Sequence, residues 1–136
     1  MSMNILLDTH IALWAIADTS KLSDEVIELL ESVENKVFYS IVSVWEVAIK
    51  HRIKPEHMPV PEEEFVGLCQ KTGFVQLPIK NGHIFLLKTL ERTSTAPKHN
   101  DPFDRLLLAQ AKYEKLKLVT HDSLLPYYSE DCIMYV

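Results

Sequence analysis

Asn4-Ile5-Leu6-Leu7-Asp8 is the stretch that decides the fold. Three apolar residues follow one another without polar alternation, and an acid closes the run. A strand with one face in water alternates apolar and polar residues. A strand covered on both faces reads as a short unbroken apolar run, the pattern of parallel sheets. Residues 37–40, 74–77 and 116–120 read as further short strands, and 133–136 as a fifth at an edge. Between them the spacing predicts helices over about 9–17, from Ser23 to about 33, from Ser43 to about 53, over 62–71, over 80–90 and from Asp101-Pro102 to about 114. Asp suits a helix cap and Pro the first helical position, so the last of these has the firmest start. Short apolar strands alternating with amphipathic helices predict an α/β fold: a three-layer sandwich with a central parallel sheet of about four to five short strands flanked by helices.

The 136 residues fit one domain with a full core. Hydrophobic residues make up 47% and charged residues 24%, too apolar for a disordered chain. No window approaches the ~18 consecutive apolar residues of a membrane span. The N-terminal apolar run is too short for a secretory signal and lacks a basic flank, so a cytoplasmic location is expected. Cys69 and Cys132 fall in no metal-ligand or redox spacing and read as reduced, packed thiols. The net charge of −5 excludes a basic protein that coats nucleic acid.

Four acids fall at informative places. Asp8 directly follows the first strand. Glu46 lies in the first turn of the helix expected from Ser43, Asp104 in the first turn of the helix begun at Asp101, and Asp122 just past the strand 116–120. In an open parallel sheet, strand C-termini and the following helix N-termini share one edge, and ligands bind there where the strand order reverses. Carboxylates converging on that edge raise one another's pKa and resist burial. A hard divalent cation, Mg²⁺ or Mn²⁺, relieves the repulsion. Such an ion polarises phosphoryl oxygens and acidifies bound water, and a nearby carboxylate can deprotonate that water. This is chemistry for hydrolysing a phosphodiester.

Each acid also has a purely structural reading. Ser43-x-x-Glu46 matches a capping box. Asp101 suits an N-cap, Asp104 complements a helix dipole, and Asp122 in Thr-His-Asp-Ser suits a turn. Asp8, followed by apolar Ile11, Leu13 and Trp14, has the least evident structural purpose. The functional reading rests on convergence of all four.

At these residues the chain resembles the PIN-domain family, and within it the VapC-like toxins of toxin–antitoxin pairs. The resemblance is carried by Leu6-Leu7-Asp8-Thr9-His10, by Ser43-Val44-Trp45-Glu46-Val47-Ala48-Ile49-Lys50, by His99-Asn100-Asp101-Pro102-Phe103-Asp104-Arg105-Leu106-Leu107-Leu108-Ala109-Gln110-Ala111 and by Leu118-Val119-Thr120-His121-Asp122. These occur in the family's order and span essentially the whole chain. The resemblance implies a parallel sheet between helices, Mg²⁺- or Mn²⁺-dependent endoribonuclease activity, inhibition by a cognate antitoxin, and a homodimer. It places Asp8, Glu46, Asp104 and Asp122 as the catalytic, metal-binding quartet. Asp101 stands beside them as a cap or outer ligand, and Thr9 and Thr120 as small polar neighbours whose hydroxyls could hold a metal-bound water or a phosphate oxygen.

The supporting residues keep two readings each. Lys50, His51, Arg52 and Lys54 either steer an RNA backbone or form a solvated helix end. Arg105 either contacts phosphate or pairs with Asp101 or Asp104. His99 is either a general acid or a hydrogen-bonding loop residue. Trp14 and Trp45 suit core packing better than base stacking. Met58, in the proline-broken segment 54–61, is a candidate for an apolar surface that would receive an antitoxin helix. Two other functions compete with a ribonuclease. One is a structure-specific DNA nuclease, which the short chain without an accessory domain disfavours. The other is a receiver-like phospho-acceptor module, which wants paired acids after the first strand and a lysine after a late one.

Overall fold

In the computed structural model, which describes residues 2–136, five short strands form one parallel sheet. They are β1 (Asn4–Leu7), β2 (Lys36–Ser40), β3 (Val75–Leu77), β4 (Lys117–Thr120) and β5 (Ile133–Tyr135). Their spatial order is β3-β2-β1-β4-β5, and every pairing is parallel. Six α-helices occur among the described residues: α1 (Thr9–Ala17), α2 (Asp24–Glu31), α3 (Ile41–Ile53), α4 (Glu62–Thr72), α5 (Asn81–Leu86) and α6 (Pro102–Glu114). The chain builds outward from β1 to β3, then returns through α5 and α6 to place β4 on the other side of β1. The strand order therefore reverses between β1 and β4, the point at which an open α/β sheet offers a crevice.

The apolar run that opened the sequence explains the two cores. Ile5 and Leu7 point to one face, where they meet Ile11 of α1, Val26 of α2, Val47 of α3 and Phe65 of α4. Leu6 points to the other, against Leu107 and Leu108 of α6 and Leu118 of β4. All three strand residues are fully buried. Among the described residues, no helix is long and apolar enough to cross a membrane. Cys69 and Cys132 are free.

Several local expectations shift. The helix expected from Ser43 begins at Ile41, because Ser40 at the end of β2 takes the cap, its hydroxyl accepting from the Val42 N–H at 2.9 Å. Ser43 is buried inside α3, so its capping box with Glu46 does not form, and Glu46 lies beyond the first turn. The segment read as one helix over 80–90 is α5 followed by a 3₁₀ turn, Leu87–Thr89. Met58 is buried in the core rather than presented as apolar surface. Trp45 is 54% exposed and stands edge-on to Phe103, contrary to the core packing expected of it.

Truncating a residue packed under both β1 neighbours and α6 removes transfer energy and leaves a cavity. Leu6→Ala is expected to lower unfolding stability by about 2–5 kcal/mol. Val33→Ala, at a fully exposed position, is expected to stay within about 0.5 kcal/mol of wild type. Urea unfolding of the two variants checks both.

Candidate active site

The edge between β1 and β4 is tied by a side chain. Thr120, the last residue of β4, donates its hydroxyl to Asp8 Oδ2, and the His121 N–H reaches the same oxygen at 3.3 Å. Asp8 Oδ1 accepts from the Ile11 N–H at 2.9 Å, making Asp8 the N-cap of α1. The residue with the least evident structural purpose in the sequence thus has one. Burial still pushes its carboxyl above the ordinary carboxylate range, against the lowering effect of Thr120 and the backbone donors.

Asp101 caps α6, its Oδ1 accepting from Phe103 and Asp104 N–H at 2.9 and 3.2 Å. That cap leaves Asp104, in the first turn, free to face the crevice. Asp122 closes a turn after β4: its N–H donates to Thr120 Oγ1 at 3.0 Å and its Oδ1 accepts from Leu124 N–H at 2.9 Å. Asp104 and Asp122 lie side by side, with a carboxylate oxygen of each within 4.8 Å of the other. Desolvation, the hydrogen bond to Asp122 and the charges of Asp101, Asp122 and Asp8 all raise Asp104, to about 10. For Asp122, burial is outweighed by hydrogen bonds from Asp104 and the Leu124 backbone and by the nearby His99 ring, which hold its carboxyl low.

Glu46 is buried on α3. Thr9 Oγ1 lies 2.8 Å from the Ser43 hydroxyl and donates to Glu46 Oε1 at 2.5 Å. Lys50, one turn on, forms an ion pair with Glu46 Oε2. Desolvation would lower the Lys50 ammonium, but Glu46, with Asp101 and Asp104 beyond, holds it above its usual value. This pairing went unread in the sequence, although a Glu and a Lys four residues apart on a helix is its signal.

Asp8, Glu46, Asp101, Asp104 and Asp122 line one cavity of about 280 Å³, with Lys50 and the aromatic rings of Trp14, His10 and His121 at its margin. Trp14 is half-buried there, its ring 5.9 Å from that of His121. A second cavity, about 290 Å³, shares His10 and Lys50 with the first and is completed by Ile53, Lys54, His57 and Met58. Of the other cations read beside Glu46, His51 turns its Nδ1 to the Met58 carbonyl at 2.7 Å. Arg105 pairs with neither Asp101 nor Asp104. Its guanidinium donates to the Tyr128 hydroxyl and the Leu87 carbonyl, each at 3.1 Å.

His99 is buried, with Nδ1 2.8 Å from the Tyr128 hydroxyl. Its Nε2 has no hydrogen-bond partner and lies 3.6 Å from Asp104 Oδ2 and 3.7 Å from Asp122 Oδ2. A set of carboxylate oxygens beside an orphaned imidazole nitrogen is a donor set for a divalent cation. Asp104, Asp122 and His99 would hold it, within reach of Asp8.

Comparison with protein-family profiles matches the PIN domain over residues 5–130. Among curated proteins no match is found. Among solved structures, similarity extends to VapBC2 from Rickettsia felis bound to a promoter DNA fragment (18% identity, TM-score 0.72, 98% of this chain and 99% of that one). It extends also to VapBC-1 from nontypeable Haemophilus influenzae (16%, 0.57, 88% and 87%), and to FitAcB from Neisseria gonorrhoeae (18%, 0.51, 88% of each). At these identities the likeness is one of fold.

The raised Asp104 sets a pH signature for the metal-free protein. A carboxyl raised on folding contributes stability below its unfolded pKa, near 4, and loses it as pH rises through the folded value. Asp104→Asn removes that loss. Its thermal midpoint in EDTA is therefore expected to exceed that of wild type by a margin that grows from pH 4 towards pH 9. A margin independent of pH would contradict the assignment.

Proposed function

The chain belongs to the PIN-domain family, and on that premise we propose that it is a metal-dependent endoribonuclease, the toxin component of a toxin–antitoxin pair. The observation that carries this reading is the convergence of Asp8, Glu46, Asp104 and Asp122 on one cavity at the reversal of strand order. The matched structures are of two-component VapBC and FitAB assemblies, which supports a cognate antitoxin as partner. A homodimer in the cytoplasm follows from the family resemblance.

When bound, Mg²⁺ or Mn²⁺ supplies positive charge to the scissile phosphate and acidifies a water. The chain's residues do the rest. Asp8, Asp104 and Asp122 provide oxygens at this edge, with Asp8 held by the α1 cap and the Thr120 hydroxyl and Asp122 by its turn. Glu46, gripped by Thr9 and Lys50, orients the attacking water and takes its proton. The water oxygen bonds to phosphorus as the bond to the leaving oxygen breaks, and that oxygen acquires a proton from solvent. Thr9 and Thr120 act on the acids rather than on substrate. Asp101, on the cavity wall, holds the α6 terminus through its Oδ1. Lys50, Lys54 and His57 form the margin along which a phosphate backbone approaches.

Asp8→Asn and Asp104→Asn are each expected to lower RNA cleavage at least about 100-fold while the circular dichroism spectrum is kept, since Asn retains the cap and the volume. EDTA should abolish cleavage and Mg²⁺ or Mn²⁺ restore it. Undiminished cleavage by either variant would overturn the site assignment, and cleavage of DNA but not RNA would overturn the substrate.

A further inference from the structure

We propose that His99 is a direct nitrogen ligand of the bound cation, set by Tyr128, and that it biases the site towards Mn²⁺ over Mg²⁺. The inference rests on the metal-dependent reading above and goes beyond it, because the quartet is all oxygen and carries no such preference.

Three observations converge. His99 is 92% buried on the residue's surface and its side chain almost wholly so. A ring nitrogen at that depth without a hydrogen-bond partner is costly unless something else engages it. Nε2, Asp104 and Asp122 each offer a ligand atom, and these atoms lie within 4.8 Å of one another. The separations of 3.6 and 3.7 Å exceed a hydrogen bond. They are close to the spacing, roughly 3.0–3.5 Å, of two donors each about 2.1 Å from a shared ion. The remaining ring nitrogen supplies the third observation. Nδ1 lies 2.8 Å from the Tyr128 hydroxyl, whose oxygen also accepts from Arg105 at 3.1 Å. The Tyr128 ring stands edge-on to the imidazole at 5.5 Å. A ligating histidine characteristically donates its second N–H to an oxygen that fixes tautomer and ring plane. In the proposed arrangement Nδ1–H donates to the Tyr128 oxygen, 2.8 Å away, and the Nε2 lone pair faces the two carboxylates. Arg105, which touches neither acid, acquires a role: it holds Tyr128 in place.

Nitrogen donors strengthen binding of first-row transition ions more than of Mg²⁺, which is a hard ion that favours oxygen and water. The consequence is measurable without turnover. Calorimetric titration of the full-length protein with Mn²⁺ and with Mg²⁺, and pulsed electron paramagnetic resonance of the Mn²⁺ complex, read the site directly. Wild type is expected to bind Mn²⁺ at least about 10-fold more tightly than Mg²⁺ and to show a directly coordinated nitrogen. His99→Asn should lose that nitrogen coupling and about 10–100-fold in Mn²⁺ affinity, with a change under about 3-fold for Mg²⁺. Tyr128→Phe keeps the ring and removes the hydroxyl. It should weaken Mn²⁺ binding while retaining the nitrogen signal, marking Tyr128 as a positioning residue. Should His99→Asn fail to fold, the nitrogen signal of the wild-type complex decides by itself. Mn²⁺ bound without nitrogen coupling would overturn the role of His99 and leave the metal-dependent nuclease intact. No binding of either ion at millimolar concentration would overturn both.

Discussion

Carboxylates brought together out of water repel one another, and the geometry around the cavity is a set of answers to that repulsion. Asp8 receives three donors, from Ile11, His121 and Thr120. Asp101 and Asp122 each accept backbone N–H groups. Glu46 receives a hydroxyl and an ammonium. Asp104 is the exception: burial, the hydrogen bond to Asp122 and the like charges of Asp101, Asp122 and Asp8 all push its carboxyl up. The deficit of positive charge is therefore localised, and it lies where His99 Nε2 also lacks a partner. A divalent ion placed there answers both at once.

The parallel sheet is what makes so costly a cluster affordable. β1 and β4 end side by side, and α1 and α6 begin near the same edge, so their first-turn N–H groups pair with Asp8 and Asp101 and their positive dipole ends lie beside the acids. Thr120 makes the junction rigid by joining the two strand ends through Asp8. The structural and functional readings of these residues are then the same reading. Asp8 caps α1 with one oxygen and meets Thr120 with the other, and Asp122 completes its turn with one oxygen while the other approaches His99. A carboxylate has lone pairs enough for both tasks.

This also explains what could be read from the chain alone. Ile5, Leu6 and Leu7 announced a strand covered on both faces, because burial on both faces leaves no polar residue in the run. Asp101-Pro102 announced its helix because a cap and a ring-locked φ are local effects. The start of α3 was misplaced by a competition between two serines. Ser43 offered the familiar spacing to Glu46, but Ser40, at the end of β2, was already positioned by the sheet to donate to Gln110, 70 residues away, and to take the cap. Arg105 was drawn towards adjacent acids by proximity in sequence, whereas a helix turns its neighbour away from the crevice and into Tyr128. The orphaned nitrogen of His99 is a tertiary fact: it requires α6, the turn after β4 and Tyr128 together, and no spacing encodes it.

A net charge of −5 counts against a polyanionic substrate only if charge is spread evenly, and it is not. The acids of the quartet line one cavity, while Lys50, Lys54, His57 and His10 border the next, and Lys50 and His10 belong to both. Under the proposed function, an RNA backbone is drawn by the basic margin and excluded by the bare acids, since like charges at short range in a partly buried cleft are screened little by salt. Neutralising the acids with a divalent ion removes the exclusion while leaving the attraction. Metal binding and substrate access are then one electrostatic event. Lys50 sits at its hinge point, because its ion pair with Glu46 holds a cation between the two cavities whichever of them is occupied.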